Sequence, residues 1–244
     1  MTKFIIITTQ RTGSTYFRTS LDSHPDICCA GESFLGHYKE SVGYTAYLNG
    51  SVKRKLINYL ARKFAVYSYL DKLYSQQGYE AIGFKFMYAQ ASRIPWRYPM
   101  VIDYIRGHDV RVIHLVRNNS LRVLVSRQRL RASGIPHSKV ALPANAVVLP
   151  VNTLYHDLEN LESEKQRWRG IREELPFLEI TYEQLILQRD METRRVLEFL
   201  GVNADAPLNS PLKKIGSDSL KEAIANYEEV EKVLRGTRFE ELLD

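Results

Sequence analysis

Between an apolar run ending at Thr8 and a helical pattern beginning near Ser14 stands Thr9-Gln10-Arg11-Thr12-Gly13-Ser14-Thr15-Tyr16. A turn of this kind aims unpaired backbone N–H groups and the positive end of a helix at one point, which suits a tetrahedral oxyanion such as phosphate or sulfate. Arg11 adds a fixed charge on a forked guanidinium, Ser14 and Thr15 add hydroxyl donors, and Gly13 permits close approach. The same residues also suit an ordinary strand-to-helix turn with Ser or Thr capping. They do not suit the nucleotide-kinase loop G-x-x-x-x-G-K-[ST]: only one glycine is present, no Lys precedes Ser14, and Arg11 lies before the glycine.

A second cationic group lies deeper in the chain. Between Val110 and His156 there are seven basic residues (Arg111, Arg117, Arg122, Arg127, Arg129, Arg131 and Lys139) and no Asp or Glu. They account for the formal charge of +6, since the rest of the chain is close to neutral. Nucleic acid and membranes call for broad basic patches, so one local concentration points to a compact anionic ligand, with a solvated helix face as the plain alternative. Arg117 is expected at the carboxyl end of a buried strand, where open α/β sheets bind ligands. Ser126 follows on a helix, with Arg122 and Arg129 one turn to either side on the same face.

The elements that must position these residues alternate along all 244 positions. Short apolar runs at Lys3–Thr8, Asp26–Ala30, Ala81–Met87, Val110–Val116 and Phe177–Tyr182 read as strands buried on both faces. Helices are expected at about Ser14–Ser23, Val52–Tyr74, Ser120–Ala132, Leu154–Glu174, Met191–Leu200 and Leu220–Leu234. The alternation predicts an α/β fold with a central, mostly parallel sheet flanked by helices, as a single domain over residues 1–244. Ser133 to Asn152, with Gly134, Pro136, Pro143 and Pro150, is too broken for a long helix and is either a lid or substrate wall or a surface excursion. The composition, 44% hydrophobic and 25% charged, excludes disorder and coiled coil. The apolar stretch at residues 4–7 is too short for a secretory or membrane-spanning segment. Cys28 and Cys29, being adjacent, suggest neither a disulfide scaffold nor a metal site, so a cytoplasmic location is expected.

Arg11-Thr12-Gly13-Ser14-Thr15 resembles the 5′-phosphosulfate-binding loop of sulfotransferases that use 3′-phosphoadenosine-5′-phosphosulfate (PAPS). Val112 to Arg117, followed by Asn118 to Ser126, resembles their 3′-phosphate element, in which an Arg at a strand end and a Ser on the next helix clamp the phosphate. The Ser stands nine positions after the Arg, where many members have eight. Ile82-Gly83-Phe84-Lys85-Phe86 is similar to the central G-x-K strand, Ile180-Thr181-Tyr182-Glu183-Gln184-Leu185 to the I-x-Y-E-x-L segment, and Phe199-Leu200-Gly201-Val202 to the F-L-G-V helix end. Lys213 to Ser219, Asn226 and Tyr227 resemble the segment that closes over the nucleotide. Tyr182 and Phe199 serve equally well as core residues.

The resemblance implies a three-layer, P-loop-NTPase-like fold and in-line transfer of a sulfuryl group from PAPS to an acceptor hydroxyl, releasing adenosine 3′,5′-bisphosphate (PAP) without a metal. Arg11, Thr12, Gly13, Ser14, Thr15, Tyr16, Arg117, Ser126, Lys213 and Lys214 would hold the nucleotide. Such transfer needs alignment and charge stabilisation, for which Arg11 and the loop amides serve. Glu32, in Gly31-Glu32-Ser33-Phe34, resembles the base of carbohydrate sulfotransferases, though a glutamate there could instead form a salt bridge or bind substrate. His37 and His114 are the other candidate bases. Lys85 either assists the leaving group or orients the acceptor. The acceptor implied is a carbohydrate, glycolipid or other small alcohol, with no nucleic-acid partner and no stable membrane insertion. A P-loop kinase-like phosphotransferase using ATP and a non-catalytic nucleotide- or RNA-binding module are the competing readings.

Overall fold

The computed structural model describes residues 1–34, 43–92, 97–133, 146–209 and 219–243. Five strands, β1 (Thr2–Thr8), β2 (Ile27–Glu32), β3 (Ala81–Met87), β4 (Arg111–Val116) and β5 (Phe177–Thr181), form one sheet in the order β2-β3-β1-β4-β5. Every neighbouring pair is parallel. The helices of the described residues are α1 (Ser14–Leu21), α2 (Tyr44–Asn49), α3 (Val52–Leu60), α4 (Arg62–Tyr74), α5 (Tyr88–Ser92), α6 (Arg97–Gly107), α7 (Ser120–Ser133), α8 (Val151–Arg169), α9 (Tyr182–Leu187), α10 (Arg189–Leu200), α11 (Leu220–Ala223) and α12 (Tyr227–Leu234). Backbone packing divides the chain into two compact units.

The first unit comprises Met1–Thr9, Gly13–Val116 and Ile171–Ser210, and so holds the whole sheet. Its central strand β1 runs Phe4-Ile5-Ile6-Ile7, all fully buried, because both faces of the sheet are covered. On one face Phe4 and Ile6 pack with Phe17 and Leu21 of α1 and Val196, Leu197 and Leu200 of α10. On the other, Tyr74 of α4 lies 6.1 Å from the Phe84 ring and donates its hydroxyl to the Phe4 carbonyl at 2.9 Å. Helices on both faces of a parallel sheet make the expected α/β sandwich. Helix α10 stops at Gly201, whose φ of 73° lets its N–H and that of Val202 return to the carbonyls of Glu198 and Leu197.

The second unit comprises Gln10–Thr12, Arg117–Gly170 and Pro211–Asp244. Its core is helical: Leu121 and Val125 of α7, Leu154 and Leu158 of α8, and Val230 and Leu234 of α12 pack together. Asn226 pairs its side-chain amide with the backbone of Leu149 in both directions, accepting from its N–H and donating to its carbonyl, each at 2.9 Å.

The five strands fall where the sequence places them, within two residues at each end, but three helices need correction. Val52–Tyr74 is two helices, because Ala61 leaves helical geometry at φ −141° and ψ 64°. Leu220–Leu234 is likewise two, interrupted where Ala225 donates to the Val147 carbonyl and Val147 to that of Ala223. Helix α8 starts at Val151 and ends at Arg169, so the proline-broken segment gives way to helix directly after Pro150. Of that segment, 134–145 lie outside the described residues. Tyr44–Asn49, Tyr88–Ser92, Arg97–Gly107 and Tyr182–Leu187 are helices with no counterpart in the sequence reading; α9 is short but carries a capping box between Thr181 and Gln184.

Candidate active site

In the sheet unit the site is built at the carboxyl ends of the strands. The pairing of β3 with β1 sets Lys85 opposite Ile6, on the face covered by α1. Its ammonium is nearly buried and lies 3.0 Å from a carboxylate oxygen of Glu32. That contact depends on a β-bulge. Ala30 stands opposite Phe84, but the register shifts and Glu32, not Gly31, faces Lys85, which carries the carboxylate onto the lysine's side of the sheet. The lysine also reaches the Thr15 hydroxyl at 3.5 Å, the outer limit of a hydrogen bond. A nearly buried cation thus stands between the acid and the first turn of α1.

Gly13 forms the N-cap of α1 with φ 74°. No side chain caps the helix and its first turn carries no acid, so the Ser or Thr capping considered from sequence is not what the turn is for. The glycine is needed twice over. Its φ is one that side chains resist, and an added Cβ would stand 2.7 Å from the Tyr182 ring. What approaches Gly13 is therefore Tyr182, which sequence reasoning left between core and ligand. Gly83 has a similar reason, since a Cβ there would lie 2.5 Å from the Phe4 ring. The preceding residue of interest, Arg11, is itself left-handed at φ 71°, a conformation that costs a non-glycine residue on the order of 1–3 kcal/mol and persists only where surroundings enforce it.

The helical unit supplies that enforcement. Arg11 Nε donates to Ser126 Oγ at 2.9 Å, and Arg117 Nη1 donates to the Arg11 carbonyl at 3.3 Å. Arg117 follows directly on β4, and Ser126 sits on α7, which begins where Asn119 Oδ1 accepts the Arg122 N–H at 3.0 Å. Behind them, the buried Lys165 ammonium gathers Ser120 Oγ at 2.8 Å, Glu162 at 2.7 Å and the Asn118 carbonyl at 3.4 Å, fixing the start of α7. One turn beyond Ser126, Arg129 has Nε and Nη2 buried without a hydrogen-bond partner among the described residues, and loss of water pushes its pKa below the usual arginine value. An arginine fork deprived of water and partner is costly unless an anion completes it.

The sequence placed Arg11 at one end of a ligand and Ser126 at the other; the structure joins their side chains. Thr12 and Ser14 are buried, Thr15 and Tyr16 half-buried. Lys213, Lys214 and His37 lie outside the described residues. His114 is wholly buried and pairs opposite Ile7, one step out of phase with Lys85, so it lies on the other face of the sheet. There its Nδ1 meets a Glu179 oxygen at 2.9 Å and its Nε2 the Tyr88 hydroxyl at 2.5 Å. Because a carboxylate only accepts, Nδ1 donates to Glu179, and the second ring nitrogen is engaged by the tyrosine hydroxyl, so the imidazole is held in the structure on both sides. Asn226 and Tyr227 likewise hold backbone, the latter through the Leu243 carbonyl at 3.2 Å.

With this geometry in hand, the chain can be set against known proteins. A family model described as the sulfotransferase domain matches residues 1–241, across both units. The chain belongs to the sulfotransferase family. It is a transferase of sulfuryl groups, which decides between the three readings of the sequence. Comparison with curated proteins gives no match. Among solved structures, this sulfotransferase is similar to one from Alicyclobacillus acidocaldarius at 14% identity, covering 100% of this chain and 96% of that one, TM-score 0.48. It is similar to the mouse sulfotransferase SULT7A1, complexed with PAP, at 13% identity over 84% of this chain and 61% of that one, TM-score 0.49. The sulfotransferase domain of the Synechococcus PCC 7002 olefin synthase is 16% identical over 97% of this chain and 88% of that one, TM-score 0.48. Among the described residues no helix is long and apolar enough to cross a membrane, and no cluster of three His, Cys, Asp or Glu forms a metal site.

Proposed function

We propose that this sulfotransferase takes PAPS as donor and an alcohol, of the carbohydrate, glycolipid or small-molecule class, as acceptor. The observation that carries the reading is the convergence of Arg11, Ser126 and Arg117 through contacts of 2.9 and 3.3 Å, with the incomplete fork of Arg129 one turn away. A donor with phosphate at both its 5′ and 3′ positions gives each of these groups an oxyanion to meet. The 3′-phosphate falls to Ser126, Arg117 and Arg129, and the phosphosulfate to Arg11 and the amides of Thr12 to Thr15 at the uncapped start of α1. Tyr16, Lys213 and Lys214 complete the proposed nucleotide contacts.

In the transfer the acceptor oxygen forms a bond to sulfur as the bond from sulfur to the bridging phosphate oxygen breaks, and charge passes to the departing bisphosphate. Glu32 takes the proton of the acceptor hydroxyl. Its pairing with Lys85 holds the carboxylate in place, and Lys85, within reach of Thr15, adds positive charge beside the loop that holds the leaving group. The enzyme works as one domain over residues 1–244 and needs no metal. Free thiols at Cys28 and Cys29 suit a reducing, cytoplasmic setting.

Incubation with sulfur-labelled PAPS and a mixed extract, followed by identification of the labelled product, tests both donor and acceptor class. Calorimetry with PAP and with ATP and Mg²⁺ tests the donor alone: the reading requires PAP to bind tightly and ATP weakly, and the reverse order defeats it.

A further inference from the structure

Helix α3 is inside out. At about 100° per residue, Val52, Leu56, Tyr59 and Leu60 fall within one arc of roughly 100°. That stripe is the face an ordinary surface helix turns inward, yet here it is 84%, 56%, 81% and 70% exposed, and no residue of α3 is buried. Phe64, at the start of α4, is another 63% exposed aromatic in the same stretch. The polar residues on the opposite arc make the helix's contacts. Arg54 lies over the Tyr47 ring at 4.4 Å and donates to the Tyr47 carbonyl at 3.1 Å, and Asn58 Oδ1 accepts from the Tyr44 hydroxyl at 2.6 Å. Those polar anchors fix which way the helix faces.

Charge identifies what the stripe is turned toward. Lys53 and Lys55 are exposed and fall on either flank of the apolar arc. From position 41 to position 70 the sequence has five basic residues (Lys53, Arg54, Lys55, Arg62 and Lys63) and no Asp or Glu. Lys63 is paired with Asp103 at 3.0 Å, Arg54 with Tyr47, and Arg62 belongs to α4, so on α3 itself Lys53 and Lys55 are the cations that border the stripe. An apolar arc bordered by cations fits the boundary between the headgroups and acyl chains of an anionic lipid layer. It does not fit a second copy of itself, because a twofold pairing would bring like charges together. We propose that α3, with Phe64, docks this sulfotransferase reversibly on anionic membrane surfaces. The inference does not depend on the donor or acceptor assigned above.

The test is co-sedimentation of the full chain with phosphatidylcholine vesicles, with and without phosphatidylserine, at low and high salt. The chain is expected to sediment with the anionic vesicles at low salt, to be released by salt and to ignore the neutral ones. Lys53→Gln with Lys55→Gln should weaken binding about fivefold for each cation removed. Leu56→Ser with Leu60→Ser should remove binding, while the melting temperature and PAP affinity stay unchanged because neither side chain is buried. Failure of the unaltered chain to sediment with anionic vesicles overturns the proposal, as does equal binding to neutral vesicles. A dimer seen by light scattering that Leu56→Ser dissociates, without vesicle binding, overturns it in favour of self-association.

Discussion

The two units both pair a buried lysine with a glutamate, Lys85 with Glu32 in the sheet unit and Lys165 with Glu162 in the helical unit, but they differ in what else they bury. In the sheet unit Lys85 faces Glu32 at 3.0 Å and the buried His114 faces Glu179 at 2.9 Å. In the helical unit α7 carries Arg122, Arg127, Arg129 and Arg131 with no acid in its length, and two guanidinium nitrogens of the half-buried Arg129 are buried with no hydrogen-bond partner among the described residues. A closed pair stabilises a fold or holds a base in place, whereas an unfinished fork awaits a ligand. The difference matches the roles proposed for them, chemistry or structure in the sheet unit and binding in the helical one.

Substitution breaks the contrast most sharply at Arg11. Arg11→Ala removes the donor to Ser126 and the loop's fixed charge, and transfer is expected to fall about a thousandfold, with PAP affinity lost alongside it in calorimetry. Glu32→Gln should lower turnover by about a hundredfold or more yet leave PAP affinity within experimental scatter. If affinity falls as far as in Arg11→Ala, the division between chemistry and binding is wrong. His114→Leu removes the buried hydrogen bonds of the imidazole to the Glu179 carboxylate and the Tyr88 hydroxyl, so chemical denaturation should show a loss of about 2–3 kcal/mol, with PAP affinity retained.

Arg129→Ala sharpens the comparison from the other side. Removing an unfinished fork should cost the fold little, while PAP affinity drops about tenfold and affinity for adenosine 5′-phosphate, which lacks the second phosphate, does not change. The smallest effect belongs to Glu164, whose carboxyl has one buried, unbonded oxygen and a pKa raised by burial. At low pH it is protonated in both folded and unfolded chains. As pH rises through the ordinary carboxyl range the unfolded chain ionises first, so stability is lost upward. Glu164→Gln should therefore gain about 0.5 kcal/mol at neutral pH and nothing in acid, measured by denaturation across pH.

The strands were readable because fully buried parallel strands need runs of apolar residues, as in Phe4 to Ile7 and in Ile82 to Met87, where Lys85 is the one charge. The turn proposed to bind the donor was readable as a strand-to-helix turn because Arg11, Gly13 and the hydroxyl pair are local in sequence. Four features were not. The break at Ala61 carries no Pro or Gly. The interruption after Ala223 exists only because Val147 and Asn226 draw the backbone elsewhere. Tyr182 against Gly13 joins residues far apart in the chain. Glu32 reaches Lys85 through a bulge at Gly31 that alternation by itself would place on the wrong face.

Residue type and order alone determined the α/β architecture, the glycine turn between β1 and α1 and the families of residues eligible for chemistry, because these follow from local backbone preference and from which side chains leave water. Tertiary structure alone decided which eligible residues meet. It joined Arg11 to Ser126, turned Glu32 onto Lys85, confined His114 to the far face and left the fork of Arg129 open. The reason is geometric: a contact between distant residues depends on strand register and helix phase, and a shift of one position, too small to mark a sequence, moves a side chain to the opposite face.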